Sequence, residues 1–321
     1  VNGFKNIKLL KDLLIKNKKL YGYLNENFSD YRLKQLFSRY STYVGGSPFN
    51  SPSILSLIWH VECQGVWRIA GGMYDLVKQI ETISKRSDAS FFYKNKVKKI
   101  LMKNNKINGI ELKNNKVIDC DTIIFNGDPK ALFDGLLGDE IQNAVSNNNI
   151  NKRSLSAYVW SFAAKTQGLD LLHHNVLFNK NYKTEFDDIK RGEIPKDPTL
   201  YICAQGSIKN PRPKEKSLGR FEIIINGSPT YNHKKYNKQK EYTKCKEITF
   251  SILDSMGLKM DLKPTAEMLT TPKEFEQLFP GSQGSLYGRT PHGISSTFMR
   301  PRHKSKIKAV SYTHLTLPTT S

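Results

Sequence analysis

The chain of 321 residues is poor in acidic residues, has no paired cysteines and contains no long apolar run. Its four cysteines, Cys63, Cys120, Cys203 and Cys245, stand far apart with no C-x-x-C among them. That excludes a cysteine-rich zinc module and a disulfide framework, and leaves them as small apolar residues of a reducing compartment. No apolar stretch is long enough to span a bilayer and no secretory leader is recognisable, so any membrane contact is expected to be peripheral. A P-loop and a G-x-S-x-G nucleophile elbow are also missing. Lys and Arg number 50 against 29 Asp and Glu, a net charge of +21. Such a balance raises nucleic acid or an anionic membrane as partners. The lysines are scattered among asparagines, as in KNKVKKILMKNNKINGIELKNNK, instead of gathering on one element with interleaved aromatics, which speaks against nucleic acid.

What the chain does have is periodic apolar patterning. Residues 1 to 60 read as helical, broken at VGGSPFNSPS, after which Ser51 or Ser53 is expected to cap a helix running to Trp59. In GVWRIAGGMYDLVKQI, Met73, Leu76, Val77, Ile80 and Ile83 keep the spacing of a helix with one buried face. Gly71 and Gly72 open that helix; paired glycines there serve either a tight turn or the close approach of an anionic ligand to free N–H groups. SFFY is a short strand candidate, and KVKKILM, INGIEL and KVIDCD, separated by Asn-Asn turns, read as a meander. TIIFNGDP reads as a buried strand ending at Asn126-Gly127-Asp128, a position where open α/β sheets hold ligands. Beyond residue 150, SLSAYVWSFAAKT, HNVLFN, TLYICAQGS and RFEIIINGS read as strands of a mostly antiparallel sheet, and QKEYTKCKEITFSILDSMG as a helix with a glycine stop. His173-His174 makes a poor metal pair, because neighbouring strand residues point to opposite faces; no metal site is expected.

FSRYSTYVGGSPFNSPS, HVECQGVWRIAGGMYDLVKQI, FNGDP, DPTLYICAQ and LFPGSQGSLYGRTPHGISSTFMRPR, in this order, resemble the FAD-dependent carotenoid desaturase family, the bacterial phytoene desaturase group. The resemblance covers the chain to about Ala309. Within the family, SLSAYVWSFAAKTQGLDLLHHNVLFNKNYKTEFDDI is most similar to the 1-hydroxycarotenoid 3,4-desaturases. The resemblance implies an α/β (α+β overall) fold: part of a glutathione-reductase-like FAD domain and a substrate domain of mostly antiparallel sheet plus helices. The expected division is a helical, membrane-facing part of the substrate domain (1–60), part of the FAD domain with the meander (61–150), the substrate sheet (151–280), a return to the FAD domain (281–309) and an adapter-like tail (310–321).

The resemblance further implies Gly71, Gly72, Val97, Asn126, Gly127 and Asp128 at the cofactor, with Gly127 where the family has alanine. It implies Tyr43, Phe49, Trp67, Tyr287 and Phe298 along an apolar substrate tunnel, and Arg68 and His292 near a terminal hydroxyl. No side chain is expected to be catalytic, since the flavin carries the chemistry. The family's G-x-G-x-x-G and its glycine-rich closing segment are not found, so the chain reads as an internal stretch that does not hold FAD tightly by itself. A cytoplasmic protein peripheral to the inner face of the membrane is expected, with the N-terminal lysines Lys5, Lys8, Lys11, Lys16, Lys18 and Lys19 against anionic headgroups or simply solvated. Phytoene desaturation, carotenoid isomerisation and a non-catalytic basic binding protein are the alternatives.

Overall fold

A computed structural model describes residues 18–146, 150, 152–205, 218–232, 237–260, 266–293 and 305–312. The largest unit is a six-stranded antiparallel sheet in the order β10-β5-β8-β7-β6, with β9 also on β5. Its members are β5 (Ser156–Gly168), β6 (His174–Leu177), β7 (Leu200–Gln205), β8 (Leu218–Gly227), β9 (Leu258–Met260) and β10 (Ala266–Thr270). Alternation sorts the residues of β7 into two sets: Leu200, Ile202 and Ala204 are fully buried, while Tyr201, Cys203 and Gln205 are half-buried. The first set joins Tyr158, Trp160 and Phe162 of β5 and Phe221, Ile223 and Ile225 of β8 in the main core. That core is closed by α7 (Lys238–Ser255), whose Cys245 and Leu253 are buried in it, and Trp160 donates its indole N–H to the Cys245 sulfur at 3.2 Å.

The expected meander is present as β1 (Val97–Lys103), β2 (Lys106–Leu112) and β3 (Val117–Asp119), paired antiparallel. The turn Asn104-Asn105 takes φ of +51° and +59°, a conformation asparagine tolerates. The expected buried strand is only β4 (Ile123–Phe125), with Ile124 70% exposed, because β4 has a single described neighbour, the parallel β11 (Val310–Tyr312). Val310 is thus buried in a second cluster with Ile100, Ile107, Leu132 and Ile141, although composition set residues 310–321 apart. SFFY forms no strand. With no strand beside it among the described residues, Phe91 stacks on Tyr93 and receives Lys85 over its ring, folding back on the preceding helix.

Among the described residues the helices are α1 (Leu20–Asn27), α2 (Tyr31–Ser38), α3 (Leu57–Glu62), α4 (Met73–Arg86), α5 (Pro129–Phe133), α6 (Tyr182–Lys190), α7 and α8 (Pro272–Leu278). Short 3-10 turns at Arg39–Val44 and Ser53–Ser56 follow α2 and precede α3. Neither Ser51 nor Ser53 caps the helix expected there: Pro52 is the N-cap of the 3-10 turn and no side chain bonds it. A fully buried carboxyl, Glu185, ties α6 to the sheet by accepting from the Thr199 N–H and hydroxyl and from Asn226 and Asn179. Burial nevertheless keeps its pKa above the usual carboxylate range.

Candidate functional site

The turn after α2 brings aromatic and cationic side chains against the half-buried face of the sheet. Phe28, Phe37, Tyr40 and Tyr43 follow one another with ring centroids 5.1, 6.4 and 5.2 Å apart. None of the four is fully buried, which suits them to line an apolar ligand as much as a core. Arg39, at the start of the turn, lies over the Tyr201 ring at 5.3 Å, and Tyr201 stacks in turn on His174 of β6. Burial is the main cause that raises the phenols of Tyr40, Tyr43, Tyr201 and Tyr287, with Tyr201 pushed up to about 12. They are neutral donors and acceptors at ordinary pH. Tyr40 donates to Glu62 at 2.7 Å. The Arg39 Nε–H is buried with no hydrogen-bond partner among the described residues, an unmet donor inside an aromatic site.

A junction of three segments frames this cluster. Gly45 (φ +72°) ends the turn; a Cβ there would lie 2.7 Å from the Tyr287 ring and from Ser154. Leu155 donates its N–H to Gly45 at 2.8 Å, Ser154 to Gly288 at 2.8 Å, and Tyr287 to the Ser154 hydroxyl at 3.0 Å. The Ser154 and Ser285 hydroxyls meet at 2.5 Å. His292 accepts the Ser47 N–H on Nε2 at 3.0 Å, and burial lowers its pKa to about 4, so the ring is neutral.

The expected cofactor residues do not form one cradle. Asp128 caps α5 through the Lys130 N–H and is ion-paired with Arg153, which also donates to the Ser282 carbonyl. Both partners are nearly buried, so this carboxylate is committed. A Cβ at Gly127 would lie 2.4 Å from the Phe125 ring. At Gly71 (φ +83°) that position is taken by the Asp75 carboxylate, an anion where a pyrophosphate would bring further negative charge. Gly72 (φ +91°) has nothing within 4 Å of its Cβ position, and Val97 opens β1 only half-buried. Gly72 and Val97 are therefore separate open positions, and Gly71 and Asp128, occupied by the Asp75 carboxylate and by Arg153, do not fit a dinucleotide's phosphates.

Of the expected substrate residues, Tyr287 lies against Gly45, which ends the turn that carries Tyr43. Phe49 is instead packed among Tyr21, Tyr182 and Phe186. Trp67 is 80% exposed and lies against Gly65, Arg68 is exposed beside it, and His292 is committed to Ser47. Phe298 lies outside the described residues. His173 and His174 do not point to opposite faces of one strand as expected: only His174 belongs to β6, His173 sits in the bend before it, and the two rings are 4.4 Å apart. Sequence reasoning missed Arg39, Tyr201 and Arg153. Tyr201 and Cys203 could have been found from the alternation of LYICAQ, which sets them on the face opposite Leu200 and Ile202; Arg39 and Arg153 carry no local signal.

No family model matches the chain. It is 43% identical over 274 residues to the hydroxyneurosporene desaturase of Cereibacter sphaeroides, taking in 85% of this chain and 54% of that protein. Against the hydroxyneurosporene desaturase of Rhodobacter capsulatus it is 42% identical over 288 residues, 89% of this chain and 57% of the relative. A 1-hydroxycarotenoid 3,4-desaturase from a Flavobacterium is 29% identical over 86% of this chain and 56% of its own length. The chain thus spans about half the length of the curated relatives it matches. Among solved structures, an oxidoreductase from Methanosarcina mazei superposes with a TM-score of 0.61 at 13% identity, over 96% of this chain and 66% of that one. A putrescine oxidase variant redesigned in cofactor binding superposes at 0.50 and 7% identity, over 95% and 63%. At such identities the likeness is one of fold.

Proposed function

Since the chain belongs to the carotenoid desaturases, we propose that the protein it represents dehydrogenates a C–C bond of an acyclic, 1-hydroxylated carotenoid with FAD as its cofactor. When bound, FAD would supply the hydride acceptor that no side chain offers. The chain's own part is to hold a long apolar molecule and keep water from it. We assign that part to Phe37, Tyr40, Tyr201 and Tyr287, whose rings are half-buried, and to the more exposed Tyr43, which together give a wall with neutral polar tips. Gly72 and Val97 are the positions open to the cofactor.

The observation that carries the hydroxyl specificity is the unpartnered Arg39 Nε–H. A buried donor left unmet is costly, so a substrate whose terminal hydroxyl meets it is favoured over one that lacks the hydroxyl. Arg39 thereby takes the role that the sequence suggested for Arg68 and His292. The exposed Tyr31, Leu33 and Leu36 of α2 offer an apolar lip for peripheral membrane contact near this wall. Lys18 is less suited to headgroups, being paired with Glu26, whereas Lys19 is exposed; Lys5, Lys8, Lys11 and Lys16 lie outside the described residues. Among the described residues no helix is long and apolar enough to cross a membrane.

The test uses the full reading frame expressed in cells that supply hydroxylated and unhydroxylated carotenoids, with products separated by chromatography. Arg39→Met should lower turnover of the hydroxylated substrate about 10- to 100-fold while sparing the unhydroxylated one. Equal loss on both would remove Arg39 from hydroxyl recognition. A purified full-length protein with no flavin absorption would defeat the desaturase reading itself.

A further inference from the structure

We propose that His173, His174 and Cys203 form a binding site for a thiophilic divalent metal ion, with Zn2+ as the type. The two imidazoles and the thiol each present one ligand atom, and the three lie within 4.8 Å of one another. A tetrahedral zinc bound by two nitrogens and a sulfur holds its ligand atoms about 3.3–3.7 Å apart, so the cluster needs to draw in by little more than 1 Å. His173 Nε2 already stands 3.9 Å from the Cys203 sulfur.

Three features prepare these side chains for a metal. First, His173 Nδ1 lies 3.1 Å from the Ala204 carbonyl. A carbonyl only accepts, so Nδ1 carries the proton and Nε2 turns its lone pair toward Cys203, the usual orientation of a metal-binding histidine. Second, His174 and Cys203 are direct cross-strand partners on one face of β6 and β7, and His174 Nδ1 is held by the Tyr201 hydroxyl at 2.6 Å. Third, the His173 and His174 ring centroids stand only 4.4 Å apart, so both imidazoles can reach one ion. As the metal–sulfur bond forms, the Cys203 thiol gives its proton to solvent. His174 is exposed, which gives the ion a way in, and three protein ligands leave the fourth position to water. Since β6 is the edge strand of the sheet, an ion here would clip the edge and the bend before it onto β7.

The experiment titrates Co2+ into the chelator-treated chain and follows thiolate-to-cobalt charge transfer in the near ultraviolet and tetrahedral d–d bands in the visible, then displaces cobalt with Zn2+. One equivalent should develop both signals. Cys203→Ala should abolish the charge-transfer band, and His173→Ala should weaken binding about 10- to 100-fold. His174→Ala, at an exposed position, serves as the second histidine variant should His173→Ala fail to fold by circular dichroism. No charge transfer in the parent chain would overturn the proposal. So would a band that survives Cys203→Ala, in particular one that disappears in Cys63→Ala, since Cys63 is also exposed.

Discussion

In the six-stranded sheet, Tyr158, Trp160, Ile223 and Ile225 are at most 1% exposed; in α4, Met73, Val77, Ile80 and Ile83 are 67, 55, 55 and 60% exposed. Both elements carry a clear apolar period, of two in the strands and of 3.6 in the helix. The difference lies in what stands opposite. β5 and β8 pair with each other over ten residues and are covered by α7, whereas no residue of α4 is buried. Amphipathic pattern therefore states that a face seeks cover, not that the described chain supplies it. A helix without tertiary packing has little stability of its own. The two regions should consequently answer very differently to the same kind of perturbation.

The largest effect is expected in the sheet. Trp160→Ala removes a fully buried indole between Tyr242, Phe250 and Cys245 and should cost ~3–5 kcal/mol in chemical denaturation followed by circular dichroism. A cost below 1 kcal/mol would mean that this core is no better packed than α4. Nearly as large is the link between regions. Asp128 follows the β4 strand and Arg153 precedes β5, so Asp128→Ala strands a buried guanidinium and should cost about 3 kcal/mol or more. If the loss is confined to the meander in hydrogen exchange, the two halves unfold independently and the contrast sharpens.

A smaller, pH-dependent effect belongs to the junction. His292 has a folded pKa near 4, below its unfolded value of about 6.5. As pH falls through about 6.5 the unfolded chain takes up a proton that the folded chain refuses until about 4. The stability that this neutral ring contributes is thus complete above pH 6.5 and lost on the way down to 4. His292→Gln keeps an acceptor for Ser47 without the titration, so its denaturation midpoint should fall less between pH 7 and 4.5 than that of the parent. Parallel curves would show that His292 is protonated as easily in the fold as outside it.

The same contrast marks what could be read in advance. The meander, the strands β5 to β8 and the glycine stop of α7 were legible because each obeys a local rule of period or turn. SFFY obeyed the rule for a strand and had no neighbour to pair with among the described residues. The resemblance put Tyr43 and Tyr287 forward together, and their segments meet at Gly45, yet Arg39 and Arg153 acquire their meaning from partners elsewhere in the chain, Tyr201 and Asp128. Asp128 itself looked like a cofactor residue because its motif is right; its carboxylate is taken up by a partner 25 residues on. For His173 and His174, strand geometry was extended one residue too far, since β6 begins at His174.

The smallest effect is the most telling for the comparison. Val77→Ser and Ile80→Ser each remove apolar atoms that are already more than half in water, so each should change stability by less than about 0.5 kcal/mol. Ile223→Ser, an identical loss of apolar character at a site with no exposure, should cost several-fold more. Helix propensity does not explain such a gap, since serine lies close to isoleucine and valine on that scale. If the α4 substitutions prove as costly as the one in β8, the helix is covered after all, by another copy of the chain or by segments outside the described residues. Dilution separates the two: a cost that vanishes at low protein concentration points to a second copy, and one that persists points to the chain itself.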